Sequence, residues 1–173
     1  MTSPLPTLSP EGERACRAHF RPAVSHATYS VVNNAAPHIY PIAVAPADID
    51  FMGHVNNASY LTWVQEAVID HWRAIAPAEV VGRHLWVALK HEITYFKPTF
   101  LGDSVVAQVL LEKVQGARAF YQTLIQRGEE VVAEVRSSWC CLDADTKRPT
   151  RPERAVIERF FARTPPPPLQ GRG

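Results

Sequence analysis

The chain has 173 residues, with 18 Lys and Arg against 17 Asp and Glu and 46% hydrophobic residues, which suits one globular domain with one core. A formal net charge of +1 gives no electrostatic footprint for wrapping nucleic acid or docking on an anionic membrane. No run reaches the roughly 18 apolar residues that span a bilayer, and the N-terminus lacks the apolar core of a secretory signal; a cytoplasmic protein is expected, with no nucleic acid or membrane partner.

Cys16, Cys140 and Cys141 are odd in number, and two are neighbours that point to opposite sides of a strand, so reduced structural thiols are expected. There is no Cys-x-x-Cys pair and no pair of His ligands, so no metal and no other cofactor is expected.

The 15 prolines crowd the two ends of the chain. Residues 1–37 read as an N-terminal extension with at most a short helix near Pro10–Arg21. Residues 146–173 read as a short helix and a Pro-rich tail, whose PPPPLQGRG ending favours extended polyproline. The working domain is expected at 38–145. Within it, HIYPIAVA at 38–45 carries β-formers and a proline suited to an edge strand. A loop follows. From Asn57 to Ile75 the period becomes helical, with Tyr60, Leu61, Val64, Ala67, Val68, His71, Trp72 and Ile75 on an apolar face and Ser59, Thr62, Glu66, Asp70 and Arg73 in a polar stripe. Asn56 or Asn57 can cap that helix.

Four alternating runs come next, at 86–96, 104–114, 118–127 and 130–142. Val87, Leu89, Ile93 and Tyr95 are expected to share one face of the first, and Val131, Ala133, Val135 and Trp139 one face of the last. Short connectors with turn residues predict an antiparallel meander for the last three. The expected fold is α+β: one long central helix wrapped by a curled antiparallel five-stranded sheet, with uncovered edges that favour a homodimer or homotetramer.

The stretch DIDFMGHVNNASYLTWVQEA at 48–67 concentrates the chemistry. Asp50 places a carboxylate just before a helix start, where first-turn N–H groups and the helix dipole favour an oxygen acquiring negative charge. Gly53 lets the backbone bend tightly or approach a ligand. His54 can hydrogen-bond a carboxylate, a carbonyl or a water. Such parts suit acyl transfer at a thioester, with Asp50 as general base or as nucleophile. Asp48, Asp50 and His54 as metal ligands are disfavoured, because carboxylates at i and i+2 of an extended strand diverge. Arg118, beside a turn, can meet the phosphates of coenzyme A.

The string D-x-D-x-x-G-H-V-N-N-x-x-Y-L-x-W-x-x-E-A resembles the hotdog-fold acyl-CoA thioesterases of the 4-hydroxybenzoyl-CoA thioesterase type, and its HVNN part resembles plant acyl-ACP thioesterases. The resemblance implies an acyl-CoA or acyl-ACP substrate, Asp50 as the catalytic carboxylate and the Asn57 N–H as oxyanion donor. In the plant pattern D-x-N-x-H, Asp50 and His54 match but Met52 stands where the Asn would be. Another hotdog branch uses a Glu on the central helix, which makes Glu66 an auxiliary candidate. A non-catalytic acyl-thioester-binding module is the alternative from another class, since Pro-rich tails can dock on proteins. Enoyl-thioester hydration is disfavoured, because the loop lacks the D-x-N-P-x-H arrangement of the hotdog hydratases.

Overall fold

A computed structural model describes residues 36–161. The short helix expected near Pro10–Arg21, most of the N-terminal extension and the Pro-rich end from 162 onward lie outside the described residues. The elements are β1 His38–Ala43, α1 Asn57–Ile75, α2 Ala78–Arg83, β2 His84–Tyr95, β3 Ser104–Gln115, β4 Arg118–Arg127, β5 Glu130–Asp143 and α3 Arg154–Phe161, with a 3₁₀ turn at Pro46–Asp48 after β1.

The strands form one antiparallel sheet in the order β1-β3-β4-β5-β2. β3, β4 and β5 make the meander that the short connectors predict, with two-residue loops whose twist matches the strands they join. β1 and β2 are the two edges. The 19 residues of α1 bury Tyr60, Trp63, Val64, Ala67, Val68, His71 and Trp72. These join Val105, Val109, Leu111, Ile125, Val135 and Trp139 of the sheet in one core. Helical period on one side and strand alternation on the other bring the two apolar surfaces together, each contributing about 25 cal/mol per Å² of apolar area removed from water. The helix ends at Ala76, whose N–H reaches the Trp72 carbonyl at 2.9 Å; Pro77 cannot donate the next bond.

Two expectations are corrected by bulges. The β2–β5 register shifts between Ala88 and Lys90, so Trp86 and Ala88 face inward before the bulge and His91 and Ile93 after it. Val87 and Leu89 consequently point outward, 45% and 49% exposed, and do not share the face of Ile93. An extra residue in a strand inverts every side chain beyond it. A second shift, between Ile125 and Gln126 on β4, falls opposite Val131 and Ala133 of β5. Val132 is buried there while Val131 is only half-buried; Ala133, Val135 and Trp139 share the inner face as expected.

The packed body also runs past residue 145. Val156 and Phe160 of α3 are buried, and the Phe160 ring stacks on Trp72 at 5.9 Å and meets His71 edge-on at 5.0 Å. Between them His71 is 5% exposed. Burial, then the neighbouring His38, push its pKa down to about 3, against an opposing pull from Asp70. A histidine packed this way stays neutral.

Candidate active site

Between β1 and α1 the chain makes a closed loop. Pro46 fixes φ at the start of the 3₁₀ turn, and the Asp48 carboxylate accepts the Ala45 N–H at 2.8 Å. Ile49 and Val55 then form an antiparallel bridge, within which Asp50 N–H donates to the His54 carbonyl at 2.8 Å and Gly53 N–H to the Asp50 carbonyl at 3.0 Å. Gly53 sits at φ +81°, a left-handed conformation that a Cβ would strain.

The Asp50 side chain does two things at once. Its Oδ1 accepts from Met52 N–H at 2.8 Å and from His54 N–H at 3.3 Å, the Asx-type turn that Asp commonly makes in loops. No described residue bonds Oδ2. Met52, where the plant pattern carries an Asn, thus serves through its backbone.

The amides that follow can be accounted for one by one. Val55 N–H goes to the Thr99 carbonyl at 2.8 Å, Asn56 N–H to the Asp48 carbonyl at 2.7 Å, and Ser59 N–H to the Asn56 carbonyl at 2.9 Å. The Asn56 side chain caps α1 by accepting Ala58 N–H at 2.9 Å, as short polar residues at that position do. Asn57 N–H is the exception: it has no acceptor among the described residues. It opens the helix, at the positive end of the macrodipole.

Asp50, His54, Asn57, Tyr60, Tyr95 and Lys97 line a cleft of about 230 Å³. His54 rests edge-on against Phe100 at 5.2 Å. The wall behind Lys97 is tied by ions: Arg127 donates to Asp103 at 2.8 Å, to Glu130 at 2.6 Å and to the Pro98 carbonyl at 3.3 Å, and Lys97 pairs with Glu130. Asp103 is held below the usual carboxylate range, by the Phe100 N–H first and Arg127 second.

The fold therefore brings Asp50, Gly53, His54 and Asn57 together. Glu66 lies about two and a half helical turns along α1 from Asn57, where it accepts from the Tyr40 hydroxyl at 3.4 Å in a second cleft. Arg118 is at the opposite end of the 10-residue β4 from Arg127, about 30 Å away at ~3.3 Å per residue. Neither meets the Asp50 cleft within this chain. Sequence reasoning missed Tyr95 and Thr99. The signal for Tyr95 was a phenol at a strand end, since such hydroxyls usually find a partner; for Thr99 there was none. Among the described residues no three His, Cys, Asp or Glu side chains gather to hold a metal, and no helix is long and apolar enough to cross a membrane.

A sequence profile of the thioesterase-like superfamily matches residues 44–166, which take in the loop, α1 and all strands from β2 onward. This chain belongs to that superfamily. A thioesterase from Thermus thermophilus, solved with coenzyme A and Zn, is similar at 26% identity and a TM-score of 0.64 over 74% of this chain and 100% of that one. The probable thioesterase YbaW from Escherichia coli is similar at 23% identity and a TM-score of 0.62, over 72% of this chain and 96% of its own. A DHNA-CoA thioesterase from Staphylococcus aureus is similar at 24% and 0.58, over 65% and 78%. The latter two bear on the fold alone. Curated proteins give no match. The curled five-stranded antiparallel sheet of this superfamily member is consistent with the hotdog fold.

Proposed function

We propose that this superfamily member is an acyl-CoA thioesterase, with Asp50 as the reacting carboxylate and the Asn57 N–H as oxyanion donor. The observation that carries the reading is one cleft lined by both a carboxylate anchored through a single oxygen and a helix-opening residue whose N–H has no described acceptor. An amide held in the cleft before the reaction would need no reorganisation as the tetrahedral intermediate forms. The similarity to the Thermus thioesterase solved with coenzyme A supports that carrier.

Two routes use Asp50 Oδ2. As general base it takes a proton from a water whose oxygen attacks the thioester carbonyl; the C–S bond breaks and the thiolate leaves with that proton. As nucleophile it forms a mixed anhydride while the thiolate leaves, and water then cleaves the anhydride. Either route consumes one water and releases one acid and one thiol. His54, which lines the same cleft, would hold the water or the carbonyl oxygen.

Self-association fits the same picture. β2 is a 12-residue edge strand with unpaired backbone groups along one side, and Leu85, Val87 and Leu89 leave its outer face apolar. A second copy is the natural cover for such an edge. Thiol release across acyl-CoAs from short aliphatic to aromatic tests the activity; no turnover with any of them overturns it. Single turnover in ¹⁸O-water with hydroxylamine trapping separates the routes: label in the Asp50 peptide or a trapped acyl-enzyme marks a nucleophile, and label in the acid alone with nothing trapped marks a base.

A further inference from the structure

Tyr95, the last residue of β2, is joined to the opening turn of α1 in the same cleft. Its hydroxyl donates to the Asn57 carbonyl oxygen at 3.0 Å, and its ring meets Tyr60 edge-on at 5.2 Å and 84°. Tyr60 is itself fixed. It is 2% exposed, and its hydroxyl donates to Thr99 Oγ1 at 2.9 Å. Thr99 is fully buried and its carbonyl accepts the Val55 N–H at 2.8 Å. Asn57 is thereby tied from both sides, through Val55 before it and through its own carbonyl after it. Helix starts ordinarily fray, because their first amides have no internal partners. A carbonyl has two lone pairs, so the Asn57 oxygen can take the phenol in addition to the N–H from one turn on.

We propose that Tyr95 is a positioning residue: its hydroxyl holds Asn57, and with it the N–H of the opening turn that has no acceptor among the described residues, at a fixed place in the cleft that Asp50 also lines. Catalysis by a backbone donor depends on where the donor sits, and a misplacement of about 1 Å can cost on the order of 100-fold. The assignment rests on the thioesterase reading for its catalytic consequence, but the tether itself does not. Burial, followed by the neighbouring Tyr60, raises the Tyr95 pKa, so the phenol remains a donor at neutral pH.

The test is Tyr95→Phe, which keeps the ring against Tyr60 and removes only the hydroxyl. The expected result is a kcat lowered about 10-fold with KM within about 2-fold. The midpoint of thermal unfolding should stay within about 4 °C. Amide exchange should accelerate over residues 57–61 and not along the rest of α1. Unchanged exchange at that turn overturns the proposal, whatever kcat does, and so does unchanged kcat. Faster exchange throughout α1 with a large drop in unfolding midpoint overturns it too, by showing a general packing role. If the wild-type chain turns over no thioester, the thioesterase reading falls, and exchange at the opening turn alone decides the tether.

Discussion

Two clefts lie along the same helix, and they differ in what their polar groups are already doing. The one at the start of α1 is the smaller, about 230 Å³, but it contains a carboxylate oxygen and a backbone N–H with no described partner. The one farther along is about 430 Å³, lined by Tyr40, Gln65, Glu66, Ile69, Asp70 and Arg73. Two of its carboxylates are engaged, Glu66 with the Tyr40 hydroxyl at 3.4 Å and Asp70 with His38 Nε2 at 2.7 Å. Volume does not choose between them. A site that stabilises developing charge needs donors held in place and not yet spent, and backbone amides at a helix start meet that need better than long side chains on a helix flank.

The comparison breaks most visibly at Asp50. Asp50→Asn keeps an oxygen for the Met52 and His54 amides and removes the charge, so kcat for thiol release should fall by on the order of 100-fold or more with little loss of stability. Full activity in that variant would remove the reason for preferring the smaller cleft.

Beneath the larger cleft, His71 makes a stability signature instead. Its pKa is about 3 folded against 6.5 ordinarily, so the unfolded chain binds the extra proton between those values. Its contribution is fully present above pH 6.5 and is lost on acidification at about 1.4 kcal/mol per pH unit. Denaturant unfolding at pH 6 and pH 4 should differ by about 2 to 3 kcal/mol from this residue. A His71→Gln chain should show a flatter profile; an equal slope would show that other groups set it.

Gly53→Ala sharpens the first cleft from the backbone side. An added Cβ meets nothing within 4 Å, so its whole cost is the φ of +81°, about 1 kcal/mol. The shifted loop should lower kcat by less than about 10-fold. The smallest effect belongs to Glu66→Gln. The amide oxygen still accepts from Tyr40, and kcat should stay within about 2-fold of wild type, because an exposed polar pair of this kind contributes little. A large loss there would move the chemistry toward the second cleft.

Much of this was legible in the chain. The periods of 3.6 and 2.0 located α1 and all five strands to within a few residues, since burial of one face leaves a repeating mark. The bulge near Leu89 left none, and the faces of β2 were misread for that reason. The packing of α3 was hidden by a proline-rich, polar surrounding; only two of its residues, Val156 and Phe160, are buried, with Phe161 packed against the core beside them. Asp50, Gly53, His54 and Asn57 were readable because eight consecutive residues hold them all. Their supports were not. Tyr95 and Thr99 reach the loop and helix start from 38 and 39 positions away along the chain, and such contacts exist only once the sheet has curled.

The displaced residue in β2 acts as a phase shifter. Upstream of it, odd-numbered positions Leu85, Val87 and Leu89 look outward; downstream, odd-numbered His91 and Ile93 look inward. Deleting the extra residue itself, Leu89, would leave a regular ladder with Trp86, Ala88, His91 and Ile93 still facing inward, whereas a deletion elsewhere in the strand would turn part of it over. The strand should therefore accept loss of one residue at the bulge and reject it elsewhere along its length.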